Sequence, residues 1–183
     1  MTKSLVVVDC QNDFITGTLA CDNAEDAVDK IVDFVNENPD VKVFYTSDWH
    51  SEVNGSFKEN GGIWPPHCVA GTWGAELSKA FEKINDETKR PNENNTYYKG
   101  LDDHVEEYSA FNAKNKAGRV LHEETGDEVV VVGIASEYCV RETALDFNKK
   151  INKVVIKKDL LGYVNGEDHV KNIDELDKII SII

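Results

Sequence analysis

Valine and isoleucine are bunched along this chain in short runs that are apolar continuously rather than at alternate positions. The runs are SLVVVD (4–9), VKVFYTSD (41–48), TYYKG (96–100), EVVVVGI (128–134) and KVVIKKDL (153–160). A strand with one wet face alternates apolar and polar residues, so unbroken runs fit strands covered on both faces, as in a parallel sheet. Between the first two runs, AEDAVDKIVDFVNEN (24–38) sets Ala27, Ile31, Val32 and Val35 three and four apart with acids on the other side. That spacing predicts an amphipathic crossover helix ended by Pro39. CVRETALDFNKK (139–150) brings Val140, Ala144 and Phe147 onto one stripe, and VKNIDELDKIISII (170–183) reads as a closing helix of the same kind. The expected fold is a three-layer α/β/α sandwich around a mainly parallel, doubly wound sheet.

With 183 residues, one domain spanning 1–183 is expected. Hydrophobic residues at 40%, charged residues at 30% and only four prolines describe a globular chain rather than a disordered one. The formal net charge of -14 argues against nucleic acid or an anionic membrane surface as a partner, since phosphate binding needs clustered Lys and Arg. No stretch approaches the ~18 apolar residues of a membrane span. Met1 to Ser4 lead straight into the short run Leu5 to Val8 and then a charge, which lacks a signal-peptide pattern and points to the cytoplasm. Cys10, Cys21, Cys68 and Cys139 are irregularly placed and read as reduced thiols. A homo-oligomer is left open.

Residues 49–74, WHSEVNGSFKENGGIWPPHCVAGTWG, break the strand-helix rhythm. A loop of that length is usually functional or disordered, and Trp49, Trp64 and Trp73 argue against disorder.

Ligands of open α/β sheets bind beyond the carboxyl ends of the strands. Asp9, Asp48 with His50, and Lys99 stand at three such ends, and Cys139 follows a fourth. Singly, Asp9 reads as a turn cap, Lys99 as a solvated surface lysine and Cys139 as a small buried residue. Together they form an activation scheme: an ammonium and a helix N-terminus lower the thiol, while Asp9 serves as general base and Lys99 holds the pair in register. Residues two apart on an extended segment project to the same side, so Asp48 and His50 can chelate one ion, with His67 of WPPHC as a third ligand. Oxygen and imidazole donors suit one divalent ion, zinc first, with manganese or iron as alternatives. His104, His122 and His169 lie among charged residues and read as solvated.

VVDCQNDF, DWH, WPPHCVAGTWGAEL, YYKG, YSAF and VVVVGIASEYCVRETA, taken in order, resemble the nicotinamidases of the isochorismatase-like hydrolase superfamily. The resemblance implies hydrolysis of nicotinamide to nicotinate and ammonia in pyridine nucleotide salvage. It implies Asp9, Lys99 and Cys139 as a catalytic triad and Asp48, His50 and His67 as metal ligands. It also implies a cis peptide between Ile134 and Ala135, with the N–H groups of Ala135 and Cys139 facing an oxyanion. Many such relatives carry a further histidine where this chain has Ser56, and others a glutamate near the place of Glu59, which enters as an additional ligand candidate. Phe14 and Trp64 are expected as apolar walls around the substrate, and Tyr108 is carried over beside them. The alternatives are another isochorismatase-like hydrolase acting on a different small amide or carbamoyl substrate, a thiol-switch protein cycling Cys139 through sulfenic acid, and a ligand-binding protein without turnover.

Overall fold

The computed structural model describes residues 2–150 and 153–183. Six parallel strands form one sheet in the order β3-β2-β1-β4-β5-β6. They are β1 (Lys3–Val8), β2 (Lys42–Asp48), β3 (Thr96–Lys99), β4 (Glu128–Gly133), β5 (Lys153–Leu161) and β6 (Ser181–Ile182). The first five coincide with the apolar runs to within a residue or two at each end. Helices α1 (Asn12–Ile15), α2 (Ala24–Glu37), α3 (Leu121–Glu124), α4 (Arg141–Lys150) and α5 (Gly166–Leu176) connect or cover them.

Successive side chains of a strand point to opposite faces, and the two faces pack into two separate cores. Leu5, Val7, Val43, Tyr45, Val130 and Val132 meet the buried stripe of α2, which includes Ile31 and Val35. Val6, Val8, Phe44, Val129, Val131 and Ile156 meet Ala144 and Phe147 of α4 and Leu176 of α5. Each fully buried Val or Ile contributes about 1.5–3 kcal/mol, so the central strands anchor both layers. Ala27, Ile31, Val32 and Val35 are all buried as the helical spacing required.

Two expectations are corrected. The C-terminal segment is not one helix: α5 stops at Leu176, and Ser181–Ile182 pairs in parallel with Val155 and Ile156 as the edge strand β6. The Ile-rich end favours a pleated surface, and its β-branched side chains outweigh the helical spacing upstream. Cys139 does not head a helix; it lies in a π-helical turn, Ser136–Val140, and α4 begins only at Arg141.

In this strand order the chain reverses direction across the sheet between β1 and β4, which opens a crevice at their carboxyl ends. Gly133 closes β4 there at φ +111°, and a Cβ on it would lie 2.2 Å from the Val8 carbonyl oxygen, so only glycine lets the two strand ends meet. Loop 49–74 folds back over this end: the N–H of His50 donates to the Cys68 carbonyl (3.0 Å) and that of Ala70 to the His50 carbonyl (2.8 Å). Trp49 and Trp64 are half-buried, whereas Trp73 is 55% exposed and does not help to order the loop's core. Among the described residues no helix is long and apolar enough to cross a membrane.

Candidate active site and metal centre

Asp9 follows β1 in the left-handed region, φ +47°, which Asp tolerates better than most residues. Its N–H donates to the Thr46 carbonyl (3.2 Å), and the Thr46 hydroxyl donates to its Oδ1 (2.6 Å). The carboxylate is thereby turned across β2 toward the end of β3, where Lys99 waits. Lys99 Nζ lies 2.8 Å from Asp9 Oδ2, an ion pair whose angles fall outside hydrogen-bond geometry. It donates to Cys139 Sγ at 3.3 Å, to the Glu107 carbonyl at 3.3 Å, and to Asp48 Oδ1. Asp9, Asp48 and Cys139 offer atoms mutually within 4.8 Å, and the cation among them is this ammonium. The structure therefore brings Asp9, Lys99 and Cys139 together, all buried.

Burial should drive the ammonium neutral, but Asp48 and Asp9, then Cys139, outweigh it and hold Lys99 well above its ordinary value. Burial likewise opposes ionisation of Asp48, yet Lys99 and His50 hold its carboxyl below the usual carboxylate range. For Asp9 burial wins: Lys99 pulls the carboxyl down and Asp48 pushes it up, and the outcome is raised. Two neighbouring carboxyls pushed apart in this way take different roles, one permanently anionic and one able to carry a proton.

The sequence predicted a lowered thiol at Cys139, and the structure reverses the sign. Burial pushes it well above its ordinary value; Lys99 opposes, but Asp9 and Asp48 add to the rise. One ammonium shared by two carboxylates has little left to stabilise a thiolate. A thiol raised in this way needs a base before it can act as a nucleophile. Cys21, also on the cleft, is pushed up to about 12 by burial and nearby acids and is inert as a nucleophile.

Asp48 Oδ2 faces the other way, 3.5 Å from His50 Nε2 and 3.9 Å from His67 Nε2. Both rings are oriented through their other nitrogen, His50 Nδ1 on the Gly100 carbonyl (2.8 Å) and His67 Nδ1 on the Pro65 carbonyl (2.7 Å). With Nδ1–H donating to a carbonyl, Nε2 keeps its lone pair for an ion, which is how metal-ligating imidazoles are oriented. One carboxylate oxygen and two imidazole nitrogens within 4.8 Å fit a zinc-type ion; burial lowers His67, whereas at His50 burial is outweighed by Asp48, which raises it. Glu59 does not join this set: it is exposed on the 3-10 turn Lys58–Asn60. Ser56 is buried but spends its hydroxyl on Asn54 Oδ1 (2.6 Å).

Phe14, Trp64 and Tyr108 all line one cleft together with Asp48, His67 and Cys139. Trp64 Nε1 donates to the Tyr108 hydroxyl (3.2 Å), and both rings rest against Tyr138. The Ile134–Ala135 peptide is cis, and Ala135 lines the cleft. Among the described residues its N–H donates to no protein acceptor.

Several supporting residues went unread in the sequence. Gln11 clamps the end of β2, donating to the Asp48 carbonyl (2.7 Å) and accepting from the Asp48 N–H (2.8 Å). Asp13 accepts the Cys68 N–H (2.8 Å) and so sets the loop that delivers His67. Phe57 packs edge-on against both His50 and His67. Glu107 accepts the Gly100 N–H (2.8 Å). Gln11 and Asp13 follow a buried strand in CQNDF, and polar residues at such a place need partners; that was the available signal. His104 is exposed as expected. His122 and His169 are half-buried rather than fully solvated, and each stacks on an aromatic ring, Phe111 and Tyr163 respectively.

The Isochorismatase domain family model matches residues 3–183. The chain is similar to the nicotinamidase/pyrazinamidase of Mycobacterium tuberculosis, 31% identical over 95% of this chain and 94% of that protein. Its fold is similar to the crystal structure of pyrazinamidase of Pyrococcus horikoshii in complex with zinc, with TM-score 0.84 and 29% identity over 100% of this chain and 99% of that one. PnC1 from L. infantum in complex with nicotinate gives TM-score 0.84 and 31% identity over 100% and 92% of the two chains. Likeness in fold and sequence thus runs through all four strand ends and the turn bearing Cys139, and the chain belongs to the isochorismatase family.

Proposed function

We propose that this chain is a nicotinamidase, hydrolysing nicotinamide to nicotinate and ammonia in the cytoplasm as a step of pyridine nucleotide salvage. The observation that carries the reading is Lys99 Nζ within 2.8 Å of Asp9 and 3.3 Å of Cys139, the last of which lines a cleft with Asp48 and His67. The similarity to nicotinamidase and pyrazinamidase supports it.

Phe14 and Trp64 wall the ring, and the carboxamide carbon lies over the Cys139 sulfur. Asp9, whose raised carboxyl suits proton transfer, takes the thiol proton as sulfur attacks the carbonyl carbon. The oxyanion accepts from the N–H groups of Ala135 and Cys139. Collapse breaks the C–N bond, Asp9 returns its proton to the leaving nitrogen, and ammonia departs. Water then attacks the thioester with its proton passing to Asp9, the C–S bond breaks, and the proton returns to sulfur. Lys99 stays charged throughout and keeps the acid and the thiol in register. Asp48, His50 and His67 would hold the divalent ion, which supplies a Lewis acid for the pyridine nitrogen lone pair and so fixes the ring.

Ammonia release from nicotinamide, followed by a coupled assay beside elemental analysis of the purified protein, tests the reading. Turnover with stoichiometric metal is expected. Ammonia from carbamoyl compounds but not from nicotinamide would move the chain to the alternative hydrolase reading.

A further inference from the structure

The turn that carries the nucleophile is held from outside the catalytic cluster, and the holder is α5. Ser136 opens the turn and is fully buried. Its N–H donates to the Gly162 carbonyl (2.9 Å), its carbonyl accepts from Asn172 Nδ2 (2.8 Å), and its hydroxyl lies 2.6 Å from His169 Nδ1. His169 and Asn172 both belong to α5. The His169 ring is fixed by stacking on Tyr163, centroids 4.4 Å apart at 17°. Asn172 Oδ1 accepts from Arg141 (2.7 Å), the first residue of α4, so the same helix grips both ends of the turn. A hydroxyl donates and accepts, and Ser136 also reaches Glu137 Oε2 (3.4 Å), whose Oε1 accepts the N–H groups of Val164 and Asn165 at the start of α5.

We infer that His169 is a positioning residue for the reaction: by bonding the Ser136 hydroxyl it sets the turn so that Cys139 Sγ and the Ala135 and Cys139 N–H groups reach their working places. A π-helical turn is closed by wider rings than an α-helix and is frequent at functional sites. Attack by sulfur tolerates little drift, since a misplacement of about 1 Å costs on the order of a hundredfold in rate. Fully burying Ser136 and giving each of its polar groups a partner is how the fold removes that drift.

The kinetic readout rests on the proposed nicotinamide reaction, so a second readout is independent of it. His169→Phe keeps the stack on Tyr163 and loses the hydrogen bond; His169→Asn restores a polar atom near the place of Nδ1. The expected result for His169→Phe is a fall of about tenfold or more in kcat for nicotinamide with KM within about twofold, recovered largely in His169→Asn. Amide hydrogen exchange in the 135–140 segment should quicken in His169→Phe and not in His169→Asn. Unchanged kcat and exchange in His169→Phe, or equal losses in both variants, overturn the inference. Wild-type protein that releases no ammonia from nicotinamide yet shows this exchange pattern overturns the function and leaves the clamp standing.

Discussion

Lys99 Nζ donates to Asp48 Oδ1 while the other Asp48 oxygen faces His50 and His67, so a single carboxylate joins the nucleophile cluster to the metal centre. The ammonium is completely buried and answers two carboxylates at once.

Lys99→Met removes the cation and leaves Asp9 and Asp48 buried without it. Breaking a buried ion pair from one side costs about 3–5 kcal/mol. The expected outcome is an unfolding free energy from urea titration lower by that amount, with an earlier midpoint, together with loss of turnover; a midpoint equal to wild type would show that the ammonium is not the counter-charge.

Cys139→Ala removes the attacking atom and nothing that binds the ion. The variant should fold, retain metal by elemental analysis and release no ammonia from nicotinamide. Retained turnover would exclude covalent catalysis through this thiol.

His50→Ala deletes one imidazole of the ion's donor set. Metal content should fall, and KM should rise far more for nicotinamide than for benzamide, which lacks the ring nitrogen. Equal losses on both amides would mean that the ion does not hold the ring.

Gly100→Ala should damage the metal centre without replacing any of its donor residues. Gly100 sits at φ +69°, and a Cβ there would lie 2.4 Å from His50 Cε1. An L side chain in the left-handed region costs about 1–2 kcal/mol. Calorimetry should show a lower Tm, and metal titration a weaker site; unchanged metal affinity would mean that the ring is not held from Gly100.

Alkaline pH should destabilise the folded chain. Burial is the leading cause that raises Cys10, Cys21, Cys68 and Cys139, whose folded values all stand above those of free thiols. Unfolded thiols ionise near pH ~8.5, so above that value the folded state binds more protons and stability falls as pH rises. This contribution is fully present below the unfolded value. Urea midpoints at pH 7.5 and pH 9.5 should differ in that sense, and alkylation of Cys139 should keep accelerating past the ordinary thiol range. An alkylation rate that levels off near neutrality would restore the lowered thiol expected from sequence.

The five buried strands were legible because cover on both faces forces unbroken Val and Ile runs, and α2 because its apolar stripe repeats at helical spacing. Asp9, Asp48, His50, Lys99 and Cys139 were legible as residues at or just beyond strand ends, where an open α/β sheet puts its ligands. β6 was not, because a short Ile-rich end satisfies helix and strand alike until a neighbour such as Val155 offers it a ladder. The exposure of Glu59 was not legible because an irregular loop carries no periodic signal to tell an inward residue from an outward one. His169 was read as solvated because its charged sequence neighbours say nothing of Tyr163 and Ser136.

By itself the sequence determined which chemical groups this protein owns, the order of its layers and the crevice toward which those groups are carried. Those are local matters of pattern and strand length. The setting of each group was decided only in three dimensions: the thiol at 139 raised rather than lowered, the two acids shifted in opposite directions, the lysine shared between them. Ionisation follows burial and distances of a few ångströms between segments remote in the chain, and no local pattern encodes either.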